Sequence, residues 1–183
     1  MELINDFSTS VRKAFTEIDP DWESYDGLVV CGTHTPKDVD EIIEKIQLAR
    51  ETHRPFLGIC FGLQLMAIEY VRNVLGIADA TSEEFGIGTP VVVKMPTLRV
   101  GIFPVNGKQE SHWHNYKVND EYIKSFEGYK VSFTGNILEE LFSQNMVGIQ
   151  YHPEYQSSKE NPHPLLVAFL DKCKEYTNLI PKV

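Results

Sequence analysis

The spacing of apolar residues alternates between two periods over the first 76 positions and then changes character. "MELIND" is a short apolar run that reads as a first strand. Behind Ser8 and Thr9 as candidate N-caps, Val11, Ala14, Phe15 and Ile18 recur at helical spacing, and Pro20 ends that helix. "YDGLVVCGTHTP" is a turn, an apolar run from Leu28 to Cys31 and then Gly and Pro punctuation, the pattern of a buried parallel strand leaving into a loop. Val39, Ile42, Ile43, Ile46 and Ala49 follow on one helical face, with acidic residues in the first turn. "RPFLGIC" is a second apolar run, and Leu63, Met66, Ala67, Tyr70, Val71 and Val74 behind it form a second helix closed by Gly76.

Strand and helix thus alternate with short connections, which predicts right-handed crossovers and a doubly wound α/β fold: a mostly parallel sheet with helices on both faces. Beyond Gly76 the chain reads as strands, in "TPVVVKM", "ESHWHNYKV", "YKVSFTG", "LEELFS" and "MVGIQYH", with turns at Asn106-Gly107, Glu127-Gly128 and Gly135-Asn136. A last helix is expected over Pro164 to Tyr176. No repeat or low-complexity linker interrupts the chain, so residues 1–183 are expected to form one domain, long enough to bury a substantial core.

Charge and cysteine usage narrow the function classes. Seventeen Lys and Arg against 26 Asp and Glu leave a net charge of −9, which argues against a sequence-independent grip on nucleic acid or anionic lipid. Three widely spaced cysteines, Cys31, Cys60 and Cys173, fit neither a disulfide framework nor a paired-spacing zinc site, so a reducing cytoplasm is the expected compartment. No signal-peptide pattern opens the sequence, and its most apolar window, Pro55 to Ile68, is too short to span a bilayer. Small molecules or protein partners are the expected ligands, and a homo-oligomer is compatible with all of this.

The candidate chemistry centres on "PFLGICFGLQ". Gly58-Ile59-Cys60-Phe61-Gly62, between an apolar strand and a helix, is the cysteine form of a nucleophile elbow, in which a strained turn lifts the side chain out of the carboxyl edge of a sheet. The same turn sets Cys60 at a helix N-terminus and aims the Phe61 amide at a developing oxyanion. An inert core cysteine is the competing reading of the pentapeptide alone. A nucleophile needs a base and an orienting group, and "GIQYHPEY" supplies both: an apolar strand from Met146 to Tyr151, His152 at its end, and Glu154 turned back by Pro153 to fix the imidazole tautomer.

Together, "PFLGICFGLQ" and "QYHPEY" resemble the class I glutamine amidotransferases. "AIEYVRNVLGIADATSEEF", "TLRVG", "SHWHNYKVN" and "HPEYQSSKENPHPLL" extend the likeness to the glutaminase part of CTP synthases, from Asp26 to about Leu170. The resemblance implies a flavodoxin-like sheet and hydrolysis of a glutamine side-chain amide through a glutamyl thioester, with no cofactor and no metal. It implies Cys60 as nucleophile, His152 as base and then acid, Glu154 as its orienter, Gln64 and Glu84 as glutamine contacts, and Phe61 as an oxyanion donor. The ammonia would serve a separate synthetase, since no Gly-x-x-x-x-Gly-Lys-Ser/Thr stretch accompanies these motifs and "GIFPVNGKQ" departs from it.

Three departures from the family pattern qualify the substrate. Trp113 and Asn115 stand where the family has arginines, and an asparagine offers a neutral amide in place of the charged fork that would hold an α-carboxylate. Before the elbow, "VVCGTHT" puts Cys31 and Thr33 where the family has proline and glycine. Gly32 and Thr33 amides would complete the oxyanion hole, but a β-branched Thr33 resists a positive φ. The segment between "MELIND" and "YDGLVV" holds one helix only, predicting a trimmed sheet edge open to a partner. Two further readings therefore stand beside a glutaminase: a cysteine hydrolase of a γ-glutamyl or related amide, and a regulatory module with weak turnover.

Smaller features receive structural readings. His112 and His114 alternate on a strand and face one side, as structural or site-lining residues and not zinc ligands, because no Cys or acid completes a set at short spacing. Cys31 is expected near Cys60 as a small loop-filling residue, close enough in the sheet for an oxidative disulfide to be weighed. Glu69 and Arg72 read as a solvated surface pair, and Trp113 as a rim aromatic able to stack on a ligand.

Overall fold

The computed structural model describes residues 1–180. In chain order its elements are β1 (Glu2–Ile4), α1 (Ser10–Ile18), β2 (Leu28–Val30), α2 (Val39–Glu51), β3 (Phe56–Ile59), α3 (Phe61–Asn73), β4 (Ala80–Ser82), β5 (Thr89–Val105), β6 (Lys108–Val118), β7 (Lys130–Thr134), β8 (Ile137–Phe142), β9 (Met146–Ile149) and α4 (Pro164–Leu179). The central sheet has the order β1-β2-β3-β9-β8-β7, parallel from β1 to β9 and antiparallel beyond it. The α/β fold, mostly parallel at its centre, agrees with the reading of the sequence.

The two faces of that sheet are filled by different helices. Leu28, Val30 and Phe56 point into a core with Ile42, Ile43 and Ile46 of α2 and most of α3. Val29, Leu57 and Ile59 alternate to the other face, against Val11, Ala14 and Phe15 of α1 and Leu166, Phe169 and Leu170 of α4. Burying each such side chain stabilises the fold by roughly 1.5–3 kcal/mol, which is why the central strands carry no polar residue. With one helix between β1 and β2, three-residue β1 is the sheet edge, as expected from the short N-terminal segment.

A second, three-stranded sheet, β4-β5-β6, packs over α3. Its β5–β6 hairpin turns at Asn106 (φ 50°) and Gly107 (φ 79°), the left-handed pair that a two-residue hairpin turn demands. This sheet corrects the sequence reading. "TPVVVKM", read as a strand of its own, and the following "TLRVGIFPV" form one strand of 17 residues, because the register shift between Lys94 and Arg99 absorbs Pro96.

Other expectations need smaller corrections. Thr9 makes no side-chain cap of α1 and the Ser8 hydroxyl accepts only from Ser10 N at 3.4 Å, while the Asp6 carboxylate accepts from Val11 N (3.2 Å) and Arg12 N (3.0 Å). The strand expected to run to Tyr151 ends at Ile149, leaving Gln150, Tyr151 and His152 on irregular backbone. Glu69 and Arg72 are not a solvated pair. Glu69 is 1% exposed and receives Arg50 in a forked bond (Nη2–Oε1 2.8 Å, Nε–Oε2 3.1 Å), while Arg72 reaches Asp40 and the Ala80 carbonyl. The reason is that α3 is covered by α2 and the second sheet, so it has almost no solvated side.

Candidate active site

Parallel register brings the ends of β3 and β9 together. Ile59 lies opposite Ile149, and the Cys60 amide donates to the Ile149 carbonyl at 2.7 Å before the chain turns into α3. Cys60 sits at φ 54°, ψ −99°, a strained conformation for a residue with a Cβ. The turn exists because its glycines let backbone approach backbone. A Cβ on Gly58 would lie 2.5 Å from the Gly62 carbonyl carbon, and one on Gly62 would lie 2.1 Å from the Val30 carbonyl oxygen. Those contacts push Cys60 above the sheet edge, where the first amides of α3 have no intrahelical acceptor.

His152 is fixed from three directions. Its amide donates to the Ser111 carbonyl of β6 (2.7 Å), its ring stacks on Tyr155 with centroids 4.8 Å apart, and its Nδ1 shares a 2.6 Å hydrogen bond with Glu154 Oε1. Glu154 reaches back because Pro153 starts a single 3-10 turn, Pro153–Tyr155. The Glu154 bond leaves Nε2 as the ring atom without a protein partner, in the cavity it shares with Cys60. Burial alone would lower this imidazole's pKa. The neighbouring Cys60 and Glu154 outweigh burial and hold it up at about 10.

Gly32 supplies the third side. A Cβ there would stand 2.8 Å from His152 Cε1 and 3.3 Å from Cys60 Cβ, so the loop after β2 closes on the pair only because this residue is glycine. Thr33 follows with φ outside the left-handed region, so its β-branch is unstrained, and its hydroxyl accepts from the Thr35 amide (3.1 Å). Cys31 is a buried free thiol whose pKa burial pushes well up, with the Asp6 and Glu154 carboxylates adding to it.

Cys60 opens onto two cavities. One, of about 190 Å³, is lined by Thr33, Phe61, Gln64, Glu84, Trp113 and Asn115 among others. The other, of about 230 Å³, lies on the His152 side and includes Asp6, Cys31, Gly32 and Tyr155. Every candidate residue singled out in the sequence borders one of the two. Gln64 donates to the Tyr116 carbonyl (3.0 Å), which leaves its Oε1 toward the cavity. Burial raises the Glu84 carboxyl above the usual range, and Trp113 is half exposed with its ring 5.4 Å from that of His34.

Three contributors escaped the sequence reading. Gln150 is fully buried and donates its Nε2 to Cys60 Sγ (3.5 Å), and the Trp113 carbonyl lies 3.8 Å from the same sulfur. Tyr155 clamps the imidazole. For Gln150 and Tyr155 the signal was their place flanking His152 in "QYHPEY", whereas a backbone carbonyl leaves none.

His112 and His114 sit beneath this layer, on the inward face of β6. His112 Nδ1 meets His114 Nε2 at 3.3 Å, and His114 Nδ1 meets the Tyr116 carbonyl at 2.9 Å. Burial, reinforced by buried Arg99, lowers them to about 3 and about 4, so both are neutral at pH 7. Arg99 is turned inward onto Glu139 (3.0 Å).

Comparison with known proteins supports this architecture. The chain is 34% identical to CTP synthase of Methanoculleus marisnigri over 185 residues, covering 85% of this chain and 35% of that protein. CTP synthase of Aquifex aeolicus is likewise 34% identical, over 84% of this chain and 35% of its own length. The chain thus spans about a third of the length of the curated relatives it matches. The solved glutaminase domain of Trypanosoma brucei CTPS with bound acivicin shares the fold, with a TM-score of 0.81 over 96% of this chain and 94% of that one at 22% identity. A family model for class-I glutamine amidotransferases matches residues 5–172 and so takes in the elbow, the hairpin and the His152 loop alike: the chain belongs to the class-I glutamine amidotransferase family.

Proposed function

We propose that this chain hydrolyses a glutamine-type side-chain amide through Cys60, His152 and Glu154 and releases ammonia. The observation that carries the reading is the 2.6 Å His152–Glu154 bond, which commits Nδ1 and leaves Nε2 beside a cysteine on a strained elbow. In the first step Cys60 sulfur attacks the amide carbonyl. The negative charge on its oxygen is met by the Phe61 amide and by the Gly32–Thr33 backbone. The proton held by the high-pKa imidazole goes to the departing nitrogen, and Glu154 stabilises the imidazolium until it does. The C–N bond breaks, leaving a glutamyl thioester and ammonia. Neutral His152 then takes a proton from water, whose oxygen displaces the sulfur. Gln150, by donating to sulfur, steadies the thiolate both as nucleophile and as leaving group.

The relatives' name, CTP synthase, supports a further element of the reading: the ammonia serves an amination carried out by a synthetase activity outside these 183 residues. The test is ammonia release from amide substrates by wild type and Cys60→Ala, alone and with a candidate synthetase added. The expected result is a loss of at least about 10³-fold in Cys60→Ala, and equal traces from both proteins would refute the mechanism.

A further inference from the structure

The cavity between Cys60 and the β5–β6 hairpin has a one-sided charge pattern. Glu84 lines it as a half-buried carboxylate that makes no salt bridge among the described residues. Gln64 adds a carbonyl oxygen, because its amide nitrogen is committed to the Tyr116 carbonyl. The Trp113 main-chain carbonyl is a third acceptor, beside the sulfur. No lysine or arginine lines this cavity. The guanidinium of Arg99, on the same hairpin, is spent on buried Glu139 and on the face of Phe103 (4.5 Å). His114, which does line the cavity, is neutral at pH 7.

Free glutamine carries an ammonium and a carboxylate on one carbon. This cavity would solvate the first and strip water from the second without returning a cation. A desolvated carboxylate beside another carboxylate is among the more costly arrangements a binding site can hold. An amine with no neighbouring carboxylate meets three acceptors and no repulsion.

From this we infer that the substrate is a glutamine whose α-amine is free and whose α-carboxylate is masked in an amide or peptide linkage, with Glu84 holding the ammonium and Asn115 facing the neutral carbonyl. The inference rests on the proposed amide hydrolysis. Half-exposed Trp113, at the mouth between the two cavities, provides the surface over which the masking group would leave the site.

The experiment is ammonia release from a panel of four compounds: L-glutamine, L-glutamine α-methylamide, N-acetyl-L-glutamine and N-acetyl-L-glutamine α-methylamide. The methylamide cannot itself yield ammonia, so the readout comes from the side chain. The α-methylamide with its free amine is expected to exceed free glutamine by at least about tenfold in kcat/KM, a difference of about 1.4 kcal/mol. N-acetyl-L-glutamine should be the poorest substrate. In Glu84→Gln the advantage of the free amine over the doubly masked compound should disappear, and in Asn115→Arg free glutamine should gain at least about tenfold relative to its methylamide. Free glutamine turned over as well as its α-methylamide would overturn this inference and leave the amide hydrolase standing. No ammonia from any of the four, with Cys60 unlabelled by a thiol-directed glutamine analogue, would overturn both.

Discussion

Cys60 and Trp113 face each other across one cavity, yet they are held in unlike ways. Around Cys60 the backbone itself is the constraint: Gly32, Gly58 and Gly62 each stand where a single added carbon would strike the imidazole, the elbow or the neighbouring strand. Around Trp113 the constraint is on the inward side of the hairpin only. His112 and His114 are sealed beneath it, while Trp113 is half exposed and its indole makes no hydrogen bond among the described residues, only its main-chain carbonyl meeting the Cys60 sulfur. The difference separates two tasks. On the proposed reading, positioning Cys60 against His152 requires tenths of an ångström and is written into glycines and register. On the same reading, choosing a substrate falls to alternate residues of a strand, whose outward positions can change without disturbing the inward ones.

The largest expected break in this comparison is Gly62→Ala. With the Val30 carbonyl 2.1 Å from the new carbon, β2 and α3 must part, and urea unfolding should show a loss of about 3 kcal/mol along with most of the activity. A loss under about 1 kcal/mol would mean that the elbow is more compliant than its contacts imply.

The two regions should also leave opposite marks on stability against pH. His112 and His114 have folded pKa values near 3 and 4, below the ordinary 6.5, so the unfolded chain binds more protons than the fold below pH 6.5. Their contribution is complete above pH 6.5 and is lost as pH falls toward 4 and 3, by about 1 to 3 kcal/mol between pH 6.5 and 5. His152 runs the other way. Its folded pKa near 10 lies above the ordinary 6.5, so its stabilisation is complete below pH 6.5 and is lost as pH rises toward 10. Urea titrations across pH 5 to 10 should show both limbs. Cys60→Ala, which removes one partner of the imidazolium, should flatten the alkaline limb only, and flattening of the acid limb instead would reverse the assignment.

The smallest expected effect is Trp113→Ala, which should change unfolding stability by no more than about 0.5 kcal/mol because the ring is half exposed. A larger loss would show that the outward row of the hairpin is structural after all.

Legibility in the sequence followed the same division. The β-α alternation and both sheet faces were readable because three short apolar runs, β2, β3 and β9, are covered on both sides and the helices keep a 3.6 period. The elbow was readable from Gly58, Cys60 and Gly62, since glycine spacing reports backbone approach directly. The long β5 was not, because a proline inside an irregular strand looks the same as a proline that ends one. Glu69 was misread for a related reason: a charged residue on a helix carries no mark of being covered, and only the second sheet and Arg50 reveal that it is. Gln150 was passed over although it flanks His152, because nothing in the local sequence shows that its amide is buried against the Cys60 sulfur.

The two tryptophans of the chain occupy opposite extremes of solvent access, Trp22 at 2% and Trp113 at 48%. Emission that a soluble quencher can reach must therefore come almost wholly from the mouth of the cavity. Occupancy of the site becomes an optical quantity, readable in the unlabelled protein without turnover and without a reporter dye.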